Sequence, residues 1–275
     1  MEIFCQNYLC LGEQIQPIQP IDINSKFSIY EVFRVINGVP LFLENHYLRL
    51  INSAKLINKK IPFTFKELNE LIIELITINK AVIGNIKIII GYETNKDCAI
   101  SCIGFIPHKY PEKQDYEKGI KIISKIFKRE NPNAKIQNEK LRSSMNQFLV
   151  EKEAYEVLLI HPEGYITECS RSNIFFIASQ SVITAPESDI LPGITREYVI
   201  NICKENNIEL KIKRPSLIEL NDMDSAFITG TSPKILPINS IDSLRFNTNS
   251  KIMLFIMHSF ENLIDQYLIA HQKLH

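Results

Sequence analysis

The chain has 275 residues, 45% of them hydrophobic and 23% charged. That is ordinary for a globular protein and enough chain for one large domain or two modest ones. Basic and acidic residues both number 31, so no basic excess points to nucleic acid or to a membrane surface.

Cysteines stand at 5, 10, 98, 102, 169 and 203, without C-x-x-C spacing. They are expected to be reduced, mostly buried thiols, which makes a cytoplasmic compartment the default. The six histidines show no ligand spacing, so no metal is expected. MEIFCQNYLCLGEQ lacks a basic start before an apolar core and is a poor signal peptide. No apolar run approaches the ~20 residues of a membrane span. Neither G-x-G-x-x-G nor a Walker loop occurs.

In chain order, residues 28–36, SIYEVFRVI, predict a strand. Asn37-Gly38 predicts the hairpin turn into Val39–Leu43, because both residues tolerate positive φ. ENHYLRLINSAKLI changes to a helical period: Leu43, Tyr47, Leu50, Ile51, Ala54 and Ile57 share a face, with Arg49 on the opposite side. FKELNELIIELI predicts a second helix; IKIII and CAISCIGFI predict strands. Pro107 and Pro111 suggest a boundary near 107–118, giving domains 1–117 and 118–275.

The second half predicts a strand (IKIISKI), a loop with Pro132 and a helix near 139–154. VLLI and YIT flank a turn at Pro162-Glu163-Gly164; NIFFI and VIT flank one at Ser179-Gln180. A helix follows from Thr195 to Asn206, then strands SAFITG and KILPI, then a helix from Ile252 to Ile269. The pattern is mixed α/β (α+β), in two halves, without regular βαβ alternation.

The most informative stretch is ECSRSNIFFIASQSVITAPESDILPGITR, residues 168–196. It resembles the signature of class IV pyridoxal-phosphate (PLP) aminotransferases along its length. The match runs through Glu168, Ser170, Asn173-Ile174-Phe175, Val182-Ile183-Thr184 and Leu191-Pro192-Gly193-Ile194-Thr195-Arg196. YEVFRVINGVPLFLENHYLRLINSAKLI is similar to the family's N-terminal hairpin and helix, and ITGTSPKILPINSID to its last cofactor-binding turn. The resemblance implies PLP fold type IV, like that of D-amino-acid aminotransferase, with two domains, the cofactor between them, and a homodimer.

It also implies roles. Glu168 matches the carboxylate that keeps the pyridine nitrogen protonated, as an opposite charge does. Its bland alternative is a solvated glutamate after a hairpin. The Schiff-base lysine is either Lys135 or Lys140. Lys135, in AKIQN and 20 residues before Tyr155, fits the family spacing; Lys140 falls inside the predicted helix. A desolvated lysine can serve as nucleophile and base. Ile194 and Thr195 open a helix whose free N–H groups attract an anion. Thr231 and Arg49, the latter in an H-x-x-R-L frame, match phosphate contacts. Tyr30 and Ser232 are expected on the substrate side.

Where the family's branched-chain enzymes carry an aromatic and an arginine, this chain has Asn85 and Lys87. The arginine of the D-amino-acid enzymes is missing ahead of Gly91. Arg34 and Arg171 stay unassigned, each a substrate-carboxylate holder or a structural ion pair. The expected activity is amino transfer between an amino acid or amine and a keto acid. The alternatives are a PLP lyase releasing pyruvate and 4-aminobenzoate from aminodeoxychorismate, and a non-catalytic PLP-binding protein.

Overall fold

The structure, a computed structural model, describes residues 4–19, 27–92 and 99–272; Cys98 and the start of its predicted strand lie outside them. The chain forms two compact units. The first holds Met1–Lys109, Ala134–Gln137 and Ile264–His275; the second holds Tyr110–Asn133 and Asn138–Leu263.

Among the described residues, the first unit is built on β1 (Cys5–Leu11), β2 (Gln14–Pro17), β3 (Phe27–Ile36), β4 (Val39–Pro40), β5 (Ile83–Tyr92) and β6 (Ala99–Ile106). Their order is β2-β1-β6-β5-β3-β4, and these pairings are antiparallel. Asn37 and Gly38 both take positive φ, 53° and 76°, the geometry the hairpin turn demands. The β1–β2 hairpin was not legible in the sequence. The period of β1 is broken by a register shift against β6 between Cys5 and Cys10, where Gln6 has a φ of 75°.

Two helices, α1 (Leu43–Leu56) and α2 (Phe65–Ile78), join the core of this unit. Leu43, Leu50, Ala54, Leu68, Ile72 and Leu75 cluster with Ile29, Phe33, Val35, Ile86 and Ile88. The helix α2 starts at a capping box, Thr64 with Glu67, which satisfies donors that an open helix end leaves bare. The expected face of α1 needs correction. Its buried residues are Leu43, His46, Leu50, Ser53 and Ala54. Arg49, expected on the far side, has a side chain only 10% exposed, whereas Leu48 is 63% exposed. The cause is a buried partner for Arg49, described below.

The second unit contains β7 (Ile120–Ile126), β8 (Glu156–Ile160), β9 (Ile166–Cys169), β10 (Asn173–Ala178), β11 (Ser181–Thr184), β12 (Leu210–Ile212), β13 (Ser225–Gly230), β14 (Lys234–Ile241) and β15 (Leu244–Arg245). The order is β12-β11-β10-β13-β14-β7-β8-β9, with β15 on β14. Most pairs are antiparallel, but β7 runs parallel to β8 and to β14, and β11 runs parallel to β12, as crossover connections require. Ser179 and Gln180, both at positive φ, close the β10–β11 hairpin as expected.

The described elements are completed by the helices α3 (Lys113–Lys118), α4 (Glu139–Lys152), α5 (Ile194–Glu205) and α6 (Lys251–Gln272) and by short 3-10 turns at Glu187–Asp189 and Ile218–Asp222. Met145 and Leu149 of α4 pack on Ile123, Val157 and Leu159. Among the described residues no helix is long and apolar enough to cross a membrane. Cys10, Cys102, Cys169 and Cys203 are buried, and Cys5 is half-buried.

Candidate active site

In the first unit the chemistry gathers around Tyr30. Strand alternation sends Ile29, Glu31, Phe33 and Val35 to the core, where all four are fully buried. Tyr30, Val32 and Arg34 take the other face, opposite Ile89, Lys87 and Asn85 of β5. The segment Ala134–Gln137 lies along the start of β3. Tyr30 N donates to Lys135 O at 3.0 Å, and Gln137 N donates to Ser28 O at 2.8 Å. Lys135 N donates to Ser53 Oγ of α1 at 3.2 Å. The Lys135 backbone is thus pinned on both sides, and its Nζ stands 4.9 Å from the Tyr30 ring centre. Lys87 Nζ stands 5.1 Å from the same centre. Lys140, by contrast, is exposed on the first turn of α4.

Glu31 is the charged residue on the apolar side of β3. Its Oε1 accepts from Arg49 Nε at 2.7 Å, and its Oε2 accepts from Arg49 Nη2 at 2.7 Å. His46 Nδ1 lies 2.8 Å from Oε2. Burial pushes the Glu31 carboxyl up, but the Arg49 charge and the hydrogen bonds of Arg49 and His46 win and hold it well below the usual carboxylate range. Burial lowers the His46 imidazole; its bond to Glu31 opposes that, and the Arg49 and Lys135 charges add to it. A neutral His46 therefore donates Nδ1–H to the carboxylate.

In the second unit Glu168 is the third residue of β9 and is 2% exposed. The solvated alternative is thereby overturned. Arg129 Nη1 donates to its Oε1 at 2.6 Å. Asn173 Nδ2 and Leu191 N donate to its Oε2 at 3.3 Å and 3.1 Å. A guanidinium, an amide and a backbone N–H are donors suited to an ionised carboxylate. The turn after Glu168 is held by a second buried acid: Glu156 accepts from Ser172 Oγ and Arg171 N, and also binds Ser170 Oγ. Arg171 itself pairs with Glu156, Nε to Oε2 at 3.9 Å, while 44% exposed.

The helix α5 begins at Gly193 with no side-chain cap, so its first N–H groups keep their attraction for anions. Ile194 and Thr195 are buried there. Gly193 is required by packing: a Cβ would meet Asn173 Oδ1 at 1.9 Å. Arg196, next on the helix, donates from Nη2 to Ala185 O at 2.9 Å, while its buried Nε has no hydrogen-bond partner. Thr231 and Ser232 occupy the half-buried turn between β13 and β14, which Tyr116 anchors by donating to Pro233 O at 3.1 Å.

Tyr30, Arg49 and Lys135 thus fall in the first unit, and Glu168, Ile194, Thr195, Thr231 and Ser232 in the second. Sequence reasoning missed Glu31, His46, Arg129 and Glu156. Glu31 left a signal: it shares the odd-numbered face of β3 with Ile29, Phe33 and Val35, and a carboxylate on an apolar face needs a cation. Arg129 left none, since it lies 39 residues before its partner.

The sequence profile of the family described as amino-transferase class IV matches residues 28–241. A probable branched-chain-amino-acid aminotransferase of Rickettsia felis is 31% identical over 229 residues, 78% of each chain. A D-alanine aminotransferase of Bacillus licheniformis is 31% identical over 226 residues, 78% of this chain and 79% of its own. Among solved structures, the branched-chain amino acid aminotransferase of Thermoproteus uzoniensis with norvaline superposes with a TM-score of 0.82. It is 24% identical, with 96% of this chain and 98% of its own covered.

Proposed function

The chain belongs to the class IV aminotransferases, and from that premise we propose that it moves an amino group between an amino acid or amine and a keto acid, with pyridoxal 5'-phosphate bound to Lys135. The residues present fit that cofactor. An amine is held on a doubly pinned backbone. A buried carboxylate collects a guanidinium, an amide and a backbone N–H. An uncapped helix start with buried Thr195 suits a phosphate.

Bound, the cofactor supplies an electron sink for the bond broken at the substrate's amine-bearing carbon. Lys135 Nζ takes the proton from that carbon and returns it, as a positioned amine can. Glu168 serves as partner of the pyridine nitrogen and favours its protonated form. Arg49, the Ile194 N–H, Thr195 and Thr231 hold the phosphate. Tyr30 and Ser232 meet the substrate. The working form is a homodimer and the compartment the cytoplasm, as the family likeness and the buried thiols suggest.

The observation that carries this reading is the placement of Lys135, backbone tied to β3 and α1 and amine over Tyr30, while Lys140 is exposed. Borohydride reduction of the yellow protein followed by peptide mapping tests it. The label is expected on Lys135; a label on Lys140 overturns the assignment. An anaerobic substrate screen without keto acid then separates the reactions. Formation of pyridoxamine phosphate supports transamination, and 4-aminobenzoate without it supports the lyase.

A further inference from the structure

We propose that Glu31 is a positioning residue: it sets the Arg49 guanidinium so that an anion, the cofactor phosphate, meets it in one fixed orientation. The proposal rests on the reading of Arg49 as a phosphate contact.

The first part of the case is the cost of the arrangement. Glu31 occupies a register position whose neighbours on the same face are Ile29, Phe33 and Val35, and all four are fully buried. An apolar residue there would extend the core. Buried ion pairs are often no more stabilising than well-packed apolar side chains, so fold stability alone gives little reason for a carboxylate at this position.

The second part is geometry. Both carboxylate oxygens are used, one on Arg49 Nε and the other on Arg49 Nη2, each at 2.7 Å. This is a fork-to-fork pair, and the guanidinium is planar and rigid. Fixing its Nε–Nη2 edge therefore fixes the direction of Nη1. His46 adds a bond to Oε2 at 2.8 Å, which prevents the carboxylate from turning with the arginine. His46 is also packed against Phe33, with ring centres 5.7 Å apart.

The third part is location. His46, Arg49 and Ser53 lie at helical spacings of three and four on α1, so they share one flank. Ser53 Oγ accepts from Lys135 N, and the Lys135 charge is felt at His46. The helix that carries the clamped guanidinium thus also anchors the backbone of Lys135.

Glu31 also cancels the charge of Arg49. If net charge governed phosphate binding, removing Glu31 would tighten it; if orientation governs, removing Glu31 weakens it. The two accounts differ in sign, and the proposal commits to weakening.

The test is a titration of the apoprotein with pyridoxal 5'-phosphate and with pyridoxal, which lacks the phosphate. The ratio of the two affinities isolates the phosphate contribution. Glu31→Gln is expected to lower that ratio by about tenfold or more, with pyridoxal affinity within about twofold of wild type. Arg49→Ala should lower it as well, and the Glu31→Gln/Arg49→Ala double variant should fall no further than Arg49→Ala. A Glu31→Gln ratio unchanged or raised, with Arg49→Ala lowered, overturns the proposal and leaves the Arg49 reading intact. An unchanged ratio in Arg49→Ala overturns that reading itself. Should Glu31→Gln not fold, Glu31→Asp decides: it keeps the charge but is one methylene too short to span the fork and His46. Its ratio is expected to fall, and a ratio within about twofold of wild type overturns the proposal.

Discussion

A buried carboxylate persists only where donors replace its water, and the described residues include Glu31, Glu156 and Glu168 in that state. Glu168→Gln keeps the size of the side chain and part of its hydrogen bonding but cannot hold a cation by charge. The rate of the first half-reaction, followed in single turnover, is expected to fall at least about a hundredfold, or about 2.7 kcal/mol, with cofactor affinity nearly intact. A wild-type rate would show that this carboxylate is not the partner of the ring nitrogen. The Glu31–His46 pair predicts acid sensitivity with a definite sign. The Glu31 carboxyl is depressed in the folded chain, so its stabilisation is present above its unfolded value, about 4.3, and is lost as pH falls through the folded value. The His46 imidazole is also depressed, so unfolding takes up a proton below about 6.5 and stability falls as pH drops. Urea midpoints measured from pH 7 to pH 5.5 should therefore decline less in His46→Gln than in wild type. A parallel decline would mean that His46 is not held neutral.

At the scale of the element, the start of α5 is the most constrained point. A Cβ on Gly193 would meet Asn173 Oδ1 at 1.9 Å, and Asn173 also donates to Glu168 Oε2 and Leu191 O. Gly193→Ala must push Asn173 away and disturb both. It is expected to cost about 1–3 kcal/mol of stability and to weaken cofactor binding, read by urea denaturation and PLP titration; normal values in both would remove Gly193 from the architecture of the site. On α1, Leu50 is fully buried among residues of β3, α2 and β5, and Leu50→Ala should cost about 2–5 kcal/mol. The exposed Leu48 on the same helix should tolerate alanine within about 0.5 kcal/mol. Equal losses at the two positions would contradict the buried stripe.

For the whole molecule, a neutral net charge of 31 basic against 31 acidic residues places no long-range repulsion against self-association. Light scattering at micromolar concentration is expected to give twice the chain mass of 31.8 kDa; the monomer mass alone would refute the homodimer. The two compact units take their residues from interleaved parts of the chain. Ala134–Gln137 counts with the first unit although the segments on either side, Tyr110–Asn133 and Asn138–Leu263, make up the second.

The sequence by itself determined what local rules govern. Asn37-Gly38 specifies a turn because few residues adopt positive φ, Ser179-Gln180 marks one as the polar break between two apolar runs, and both turns formed. The strands around them and the α5 segment were legible because period is a property of neighbours in the chain, and the run from Glu168 to Arg196 because it resembles a family signature. Only the tertiary structure decided which charges meet. Arg49 turned toward the core because Glu31, 18 residues earlier, waits there without water. Arg129 found Glu168 across 39 residues, and Lys135 joined the first unit through bonds to Tyr30 and Ser53. The physical reason is that a buried charge takes its partner from whatever the fold brings within about 3 Å, and that separation is a property of packing, which no local pattern encodes.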